Sequence, residues 1–226
     1  MGRFVEICCT SLLDALEAQA GGGSRIELCR DLSVGGVTPD TEVLREVIAA
    51  LRIPVNVLVR PRGGSFVFTP EEVERMLSDI EVCKAAGASG VVIGALREDG
   101  SVDADTMRRL IAAARPMSVT FHRAFDVCAD PLTAFEEVIE LGCDRLLTSG
   151  HEADAYTGRG LIAELVRRAQ GRIIVMAGCG VRPHNIAAIE TASHAPEYHS
   201  TAQGSDGRTA RETVARLVSG NERETR

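Results

Sequence analysis

Two thiols, two carboxylates and an arginine recur in one phase of alternation: Glu6-x-Cys8, Glu27-x-Cys29 and Asn56-x-x-x-Arg60. In an extended strand, side chains two residues apart share a face. These groups therefore fall on one side, while Val5 with Ile7, Ile26 with Leu28, and Val55, Val57 with Val59 fall on the other. Packing alone does not account for a polar face that returns in successive strands, because a buried charge is costly unless it is paired. Cys8 and Cys29 hold the same position in adjacent strands. Neighbouring strands lie about 4.8 Å apart, so a modest side-chain rotation brings two sulfurs within reach of one soft ion such as Cu(I). Glu6 and Glu27, one layer deeper, are candidate acid–base groups.

The segment Phe121-His122-Arg123-Ala124-Phe125-Asp126 ends a further strand with an inward histidine beside a loop Arg and Asp. His122 and Asp126 thus join the candidate acid–base set. Arg60-Pro61-Arg62-Gly63-Gly64 places two guanidinium groups at a strand end, and the fork of arginine suits carboxylate or phosphate. Arg60 is also the best placed cation to pair with Glu6 or Glu27. Arg123 is grouped with Arg60 and Arg62 as an anion-binding candidate. Cys9 points to the opposite face, Cys83 sits on a helix and Cys143 in a lower loop, so packing explains all three. Cys128 and Cys179 fall in upper loops, where nothing else in the sequence supports a third soft ligand. His199 closes the last strand as a weaker candidate, and His151, His184 and His194 show no partners.

These residues need a frame, and the chain supplies eight candidate strands: 4–8, 25–29, 55–60, 90–94, 118–122, 145–148, 172–176 and 197–200. Helical segments separate them. Thr38-Pro39 and Thr69-Pro70 each place an N-cap before a first-turn proline, and Thr69-x-x-Glu72 adds a capping box. Val73, Met76, Leu77 and Ile80 then mark an apolar helical stripe. Asp130-Pro131 opens the fifth helix, and Gly142 closes it. Alternating strands and helices without a Gly-x-Gly-x-x-Gly turn favour a closed (β/α)8 TIM barrel of the α/β class over an open doubly wound sheet. In a closed barrel the apolar phase packs under the helices and the polar phase faces the lumen. Cys8, Cys29, Arg60 and His122 then stand at the C-terminal mouth. The glycine-rich Met176-Ala177-Gly178-Cys179-Gly180-Val181 segment and Tyr198-His199-Ser200 follow the last two strands. Barrels commonly bind phosphate there, so Gly178, Gly180 and Ser200 complete the anion-binding set. We expect residues 1–203 to form one barrel domain, and residues 204–226 a C-terminal helix, with Val214, Leu217 and Val218 on its apolar face, and a charged tail.

Composition narrows the function. The 25 Lys and Arg against 32 Asp and Glu give a formal charge of −7. No basic run and few aromatic residues leave a nucleic-acid binder without its electrostatic footprint or stacking platforms. No apolar stretch approaches a membrane span, and Glu6, Asp14 and Glu17 interrupt the start of the chain, so a cytosolic protein is expected. Seven cysteines in a chain of this size then read as free thiols or metal ligands rather than a disulfide framework. Lys84 is the only lysine and lies on a helix, so no strand-end lysine exists to form a Schiff base. The strands also lack a His-x-His zinc pair, and no Gly-x-Ser-x-Gly elbow occurs.

Val5-Glu6-Ile7-Cys8, Arg25-Ile26-Glu27-Leu28-Cys29, Arg60 to Gly64, Phe121 to Asp126 and Leu147-Thr148-Ser149-Gly150, taken in order, resemble the CutC copper-homeostasis family. The resemblance runs from about Phe4 to Ala202. It implies a cytosolic TIM barrel, often a homodimer, that handles copper, with the family's proposed Cu(I)-binding cysteines falling on Cys8 and Cys29. The chain departs from that pattern at His151 and Cys179, and in the short segment after its last strand, which leaves closure of a shortened last unit to be tested. Two readings stand side by side: a copper-binding homeostasis protein, and a barrel enzyme acting on a small anionic substrate through its Glu and His groups.

Overall fold

Period-two strands alternate with amphipathic helices along the whole chain, and the structure, a computed structural model describing residues 2–219, closes them into a ring. The strands are β1 (Phe4–Cys9), β2 (Arg25–Leu28), β3 (Val55–Leu58), β4 (Gly90–Ile93), β5 (Ser118–Phe121), β6 (Arg145–Thr148), β7 (Ile174–Ala177) and β8 (Glu197–Ser200). All pair in parallel in chain order, and β8 pairs back to β1 with Phe4 opposite Glu197 and Ile7 opposite Ser200. The helices are α1 (Leu12–Ala20), α2 (Thr41–Ala50), α3 (Pro70–Ala86), α4 (Ala104–Ala114), α5 (Pro131–Glu140), α6 (Arg159–Ala169), α7 (Ile186–Ser193) and α8 (Arg211–Ser219). This is the TIM barrel expected. The last unit closes despite its shortness.

The inward and outward phases separate as alternation demands. Val5, Ile7, Cys9, Ile26, Leu28, Val55, Val57 and Val59 lie in one continuous core with the helices. Cys8, Cys29, Leu58 and Val92 form a separate small cluster inside the ring. Beside and below that cluster the lumen is polar. Glu6, Arg25, Glu27, Asn56 and Glu197 are all buried, at layers where barrels ordinarily pack Val, Ile and Leu.

Local signals decide where the elements stop. Thr69 accepts the Glu72 amide N–H while the Glu72 carboxylate accepts the Thr69 N–H, the capping box read from the sequence. The expected cap at Thr38 is not formed: α2 starts two residues beyond Pro39, after Asp40, and the Thr38 hydroxyl instead accepts the Arg60 N–H at 2.9 Å. That contact ties the loop before α2 to the end of the third strand. The strands β2, β3 and β5 end before Cys29, Arg60 and His122, and β7 lies two residues later at its start than the alternation suggested. Cys29 and Arg60 have already turned into the mouth loops, where Cys29 N–H still reaches the Cys9 carbonyl at 3.0 Å. Val214 and Leu217 of α8 are fully buried where that helix packs on α1 and β1. A Cβ at Gly21 would lie 2.6 Å from Val214, so only glycine lets α8 approach this closely. The expected charged tail lies outside the described residues, and among those described no helix is long and apolar enough to cross a membrane.

Candidate functional site

The strand register stacks the polar residues into two layers. In the lower one, Glu6 stands opposite Arg25 on one side and His199 on the other. The Arg25 guanidinium binds Glu6 through Nε and Glu197 at 2.6 Å through Nη2, and Arg145 reaches the same Glu197 oxygen at 2.8 Å. The second Glu6 oxygen meets His199 Nδ1 at 2.8 Å. Burial alone would raise the Glu6 carboxyl, but Arg25 and His199 outweigh it and hold it down to about 2. Burial likewise lowers His199, and the carboxylates of Glu27 and Glu6 reverse that, for a net shift upward. The expected pairing of Glu6 or Glu27 with Arg60 is therefore corrected. Arg25 takes that role because its Cα lies level with Glu6, whereas Arg60 lies beyond the end of its strand and its guanidinium binds loop carbonyls.

Above this floor stand the thiols. Cys8 lies opposite Glu27 in register, its Sγ is 3.5 Å from Cys29 Sγ, and it approaches Glu27 Oε1 at 3.7 Å. The other Glu27 oxygen is buried with no hydrogen-bond partner among the described residues. Burial pushes the Glu27 carboxyl up to about 7, against the pull of His199. The hydrogen bond to Cys29, burial and the Glu27 charge together raise the Cys8 thiol well above its ordinary range, so it is protonated at neutral pH. Cys8, Glu27 and His199 each offer a ligand atom within 4.8 Å of the others. The donor set fits a soft ion: two sulfurs at van der Waals distance, an uncommitted carboxylate oxygen and an imidazole whose Nδ1 is held by Glu6, the outer contact that orients metal-binding histidines.

A cavity of about 720 Å³ opens over this cluster. It is lined by Cys8, Glu27, Cys29, Arg60, His122, Arg123, Asp126, Gly180, His199 and Ser200. Most of the sequence-derived residues thus converge, but Glu6 does not line the cavity: it is buried beneath it, with both oxygens held by Arg25 and His199. Arg62 does not line the cavity; it forms an ion pair with Glu72 at 2.6 Å and binds the Ser65 and Val67 carbonyls. Gly178 does not line it either, and serves close packing, since a Cβ there would lie 2.4 Å from Leu147. Asp126 is engaged on every side, by Arg123 at 2.8 Å, the Thr148 hydroxyl and the backbone N–H groups of Ser149 and His151. It ties the fifth mouth loop to the sixth. Ser200 donates to the Val181 carbonyl and accepts the Ala202 N–H. In the upper loops Cys128 Sγ lies 3.4 Å from His151 Nε2, a contact between residues the sequence left apart.

Sequence reasoning missed Arg25, Arg145 and Glu197, and underrated His199. A signal was present. Arg25 shares the phase of Glu27 and Cys29, and Glu197-x-His199 repeats the spacing of Glu6-x-Cys8.

A closed parallel barrel with a thiol, carboxylate and imidazole cluster at its C-terminal mouth defines a β/α-barrel protein with its reactive groups at the end where barrels carry their sites. The CutC family model matches residues 3–204, and the chain belongs to the CutC family. A CutC family protein of Parabacteroides distasonis is 54% identical over 204 residues, covering 90% of this chain and 84% of that one. The copper homeostasis protein cutC homolog of Homo sapiens is 46% identical over 202 residues, covering 89% and 74% respectively. Among solved structures, one described as a copper homeostasis protein CutC from Streptococcus agalactiae superposes with a TM-score of 0.84 at 31% identity, covering 88% of this chain and 98% of that one.

Proposed function

We propose that this chain is a cytoplasmic copper-homeostasis protein that holds Cu(I) between Cys8 and Cys29. The observation that carries it is the 3.5 Å separation of the two sulfurs at the cavity floor, beside Glu27 and His199. Thiolates are the ligands that Cu(I) prefers, and copper is here cargo rather than a catalyst. The names of the relatives support the role. Anaerobic titration against a competing Cu(I) chelator should show about one equivalent bound, and Cys8→Ser with Cys29→Ser should abolish it while the circular dichroism spectrum is retained. Unchanged binding in that double variant would sink the dithiol site.

The cavity favours a second reading, because a site of about 720 Å³ lined by Arg60, Arg123, Arg182, His122 and Glu27 is far larger than a single ion needs. Such a mouth suits a barrel enzyme acting on a small anionic substrate, with Glu27 as its proton-handling group and His122 beside it as a neutral hydrogen-bonding ring. A homodimer, as the family resemblance implies, is compatible with either reading.

A further inference from the structure

Two N–H groups in the cavity wall, each with almost no accessible surface, have no acceptor among the described residues. Arg60 is 5% exposed, yet no carboxylate pairs with it among the described residues. Its Nη1 donates to the carbonyls of Val34 at 3.1 Å and Gly36 at 3.0 Å, its Nη2 to Gly64 at 2.8 Å, and its Nε to nothing. A full positive charge is therefore buried against carbonyl dipoles and an aromatic face, with no counter-charge, an arrangement that costs stability unless an anion completes it. His122, equally buried, accepts the Ala124 N–H on Nδ1 at 3.2 Å. A neutral imidazole carries one proton, so the proton sits on Nε2, which also lacks a partner. Burial, reinforced by the Arg60 charge, pushes His122 down to about 3 and keeps the ring neutral.

The two groups share a cover. The Phe66 ring lies 4.6 Å from the Arg60 guanidinium carbon and 4.8 Å from the His122 ring, and all three residues line the cavity. Gly94 leaves room for the His122 ring, since a Cβ there would come within 2.5 Å of His122 Nδ1.

We propose that Arg60 and His122 form a recognition site for a small planar carboxylate, which takes one hydrogen bond from Arg60 Nε–H and one from His122 Nε2–H. Two N–H donors beside one aromatic ring match the two oxygens of a flat carboxylate better than a phosphate dianion, whose additional oxygens would need further donors beside them. The inference deepens the second reading above and rests on it. Arg123 and Arg182, at the rim of the same cavity, remain for any further anionic group of the ligand.

Thermal unfolding in the presence of acetate, malonate, succinate and inorganic phosphate tests it. At least one carboxylate should raise the melting temperature, and Arg60→Lys and His122→Asn should each weaken its apparent affinity at least about tenfold. The Cys8→Ser, Cys29→Ser double variant should respond as the parent does, which separates this site from the copper site. With 15N-labelled histidine in the unmutated protein, the Nε2–H resonance of one neutral ring should move on adding that carboxylate, a readout independent of whether the variants fold. Stabilisation that survives both variants with the Nε2 resonance unmoved would place the anion at Arg123 and Arg182, overturning this site and leaving the enzyme reading intact. Stabilisation by phosphate in preference to every carboxylate would overturn the ligand class. No stabilisation by any of these anions would overturn both.

Discussion

Arg25 holds two buried carboxylates, Glu6 and Glu197, and its own side chain is 4% exposed. Replacing it by Met leaves Glu6 with only His199 and Glu197 with only Arg145. Uncompensated buried charge of this kind costs about 3 to 5 kcal/mol, so Arg25→Met should lower the unfolding free energy obtained from urea titration by that much, while Arg60→Met, which leaves no carboxylate behind, should cost less. Equal losses would mean that Arg60 carries more of the structure than its contacts show. His122 makes a separate prediction at the same scale. The unfolded chain takes up its proton near 6.5, whereas the folded ring, facing Arg60, Arg123, Asp126 and the rings of Phe66 and Phe121, does so only near 3. Stability should therefore fall as pH drops below 6.5, by on the order of a few kcal/mol over the full window. His122→Asn should flatten the dependence of unfolding free energy on pH between 6.5 and 5 by about one proton. An unchanged slope would show that His122 titrates normally.

At the scale of elements, local grammar was readable where a single segment contains the whole interaction. Thr69 and Glu72 lie within one turn of each other, and Thr69→Ala should cost α3 about 1 kcal/mol in thermal or urea unfolding. A negligible change would show that packing of Val73, Met76 and Ile80 carries that end of the helix. The inward face of β1 to β3 was equally legible, because greasy and polar residues alternate within five positions. Thr38 misled: its hydroxyl had a competing partner in the main chain of Arg60, 22 residues away. His199 was underrated for a similar reason. β8 is a short strand, its flanks offer no greasy triplet, and its importance comes from register with a strand 193 residues earlier. Arg60 and His122 both contact the ring of Phe66, which lies on the loop after β3, a meeting that no spacing rule encodes.

On the scale of the molecule, the site is drawn from both sides of the place where the ring joins. Glu6 and Cys8 come from the first strand, Glu27 and Cys29 from the second strand and the turn after it, and His199 from the last. The Arg3 N–H donates to the Val218 carbonyl at 2.9 Å, and Arg3 also pairs with Glu190, so the joint is clasped from outside by the final two helices. A nascent chain of this design leaves the edge of β1 bare until β8 has been made, and the Glu6–His199 contact spans that joint. An ion or small molecule seated on these residues therefore acts as a latch: it touches both ends of an unfinished ring and favours the state in which they meet. A ligand bridging the first strand and the last would thus favour the completed ring over any state in which its two ends are still apart.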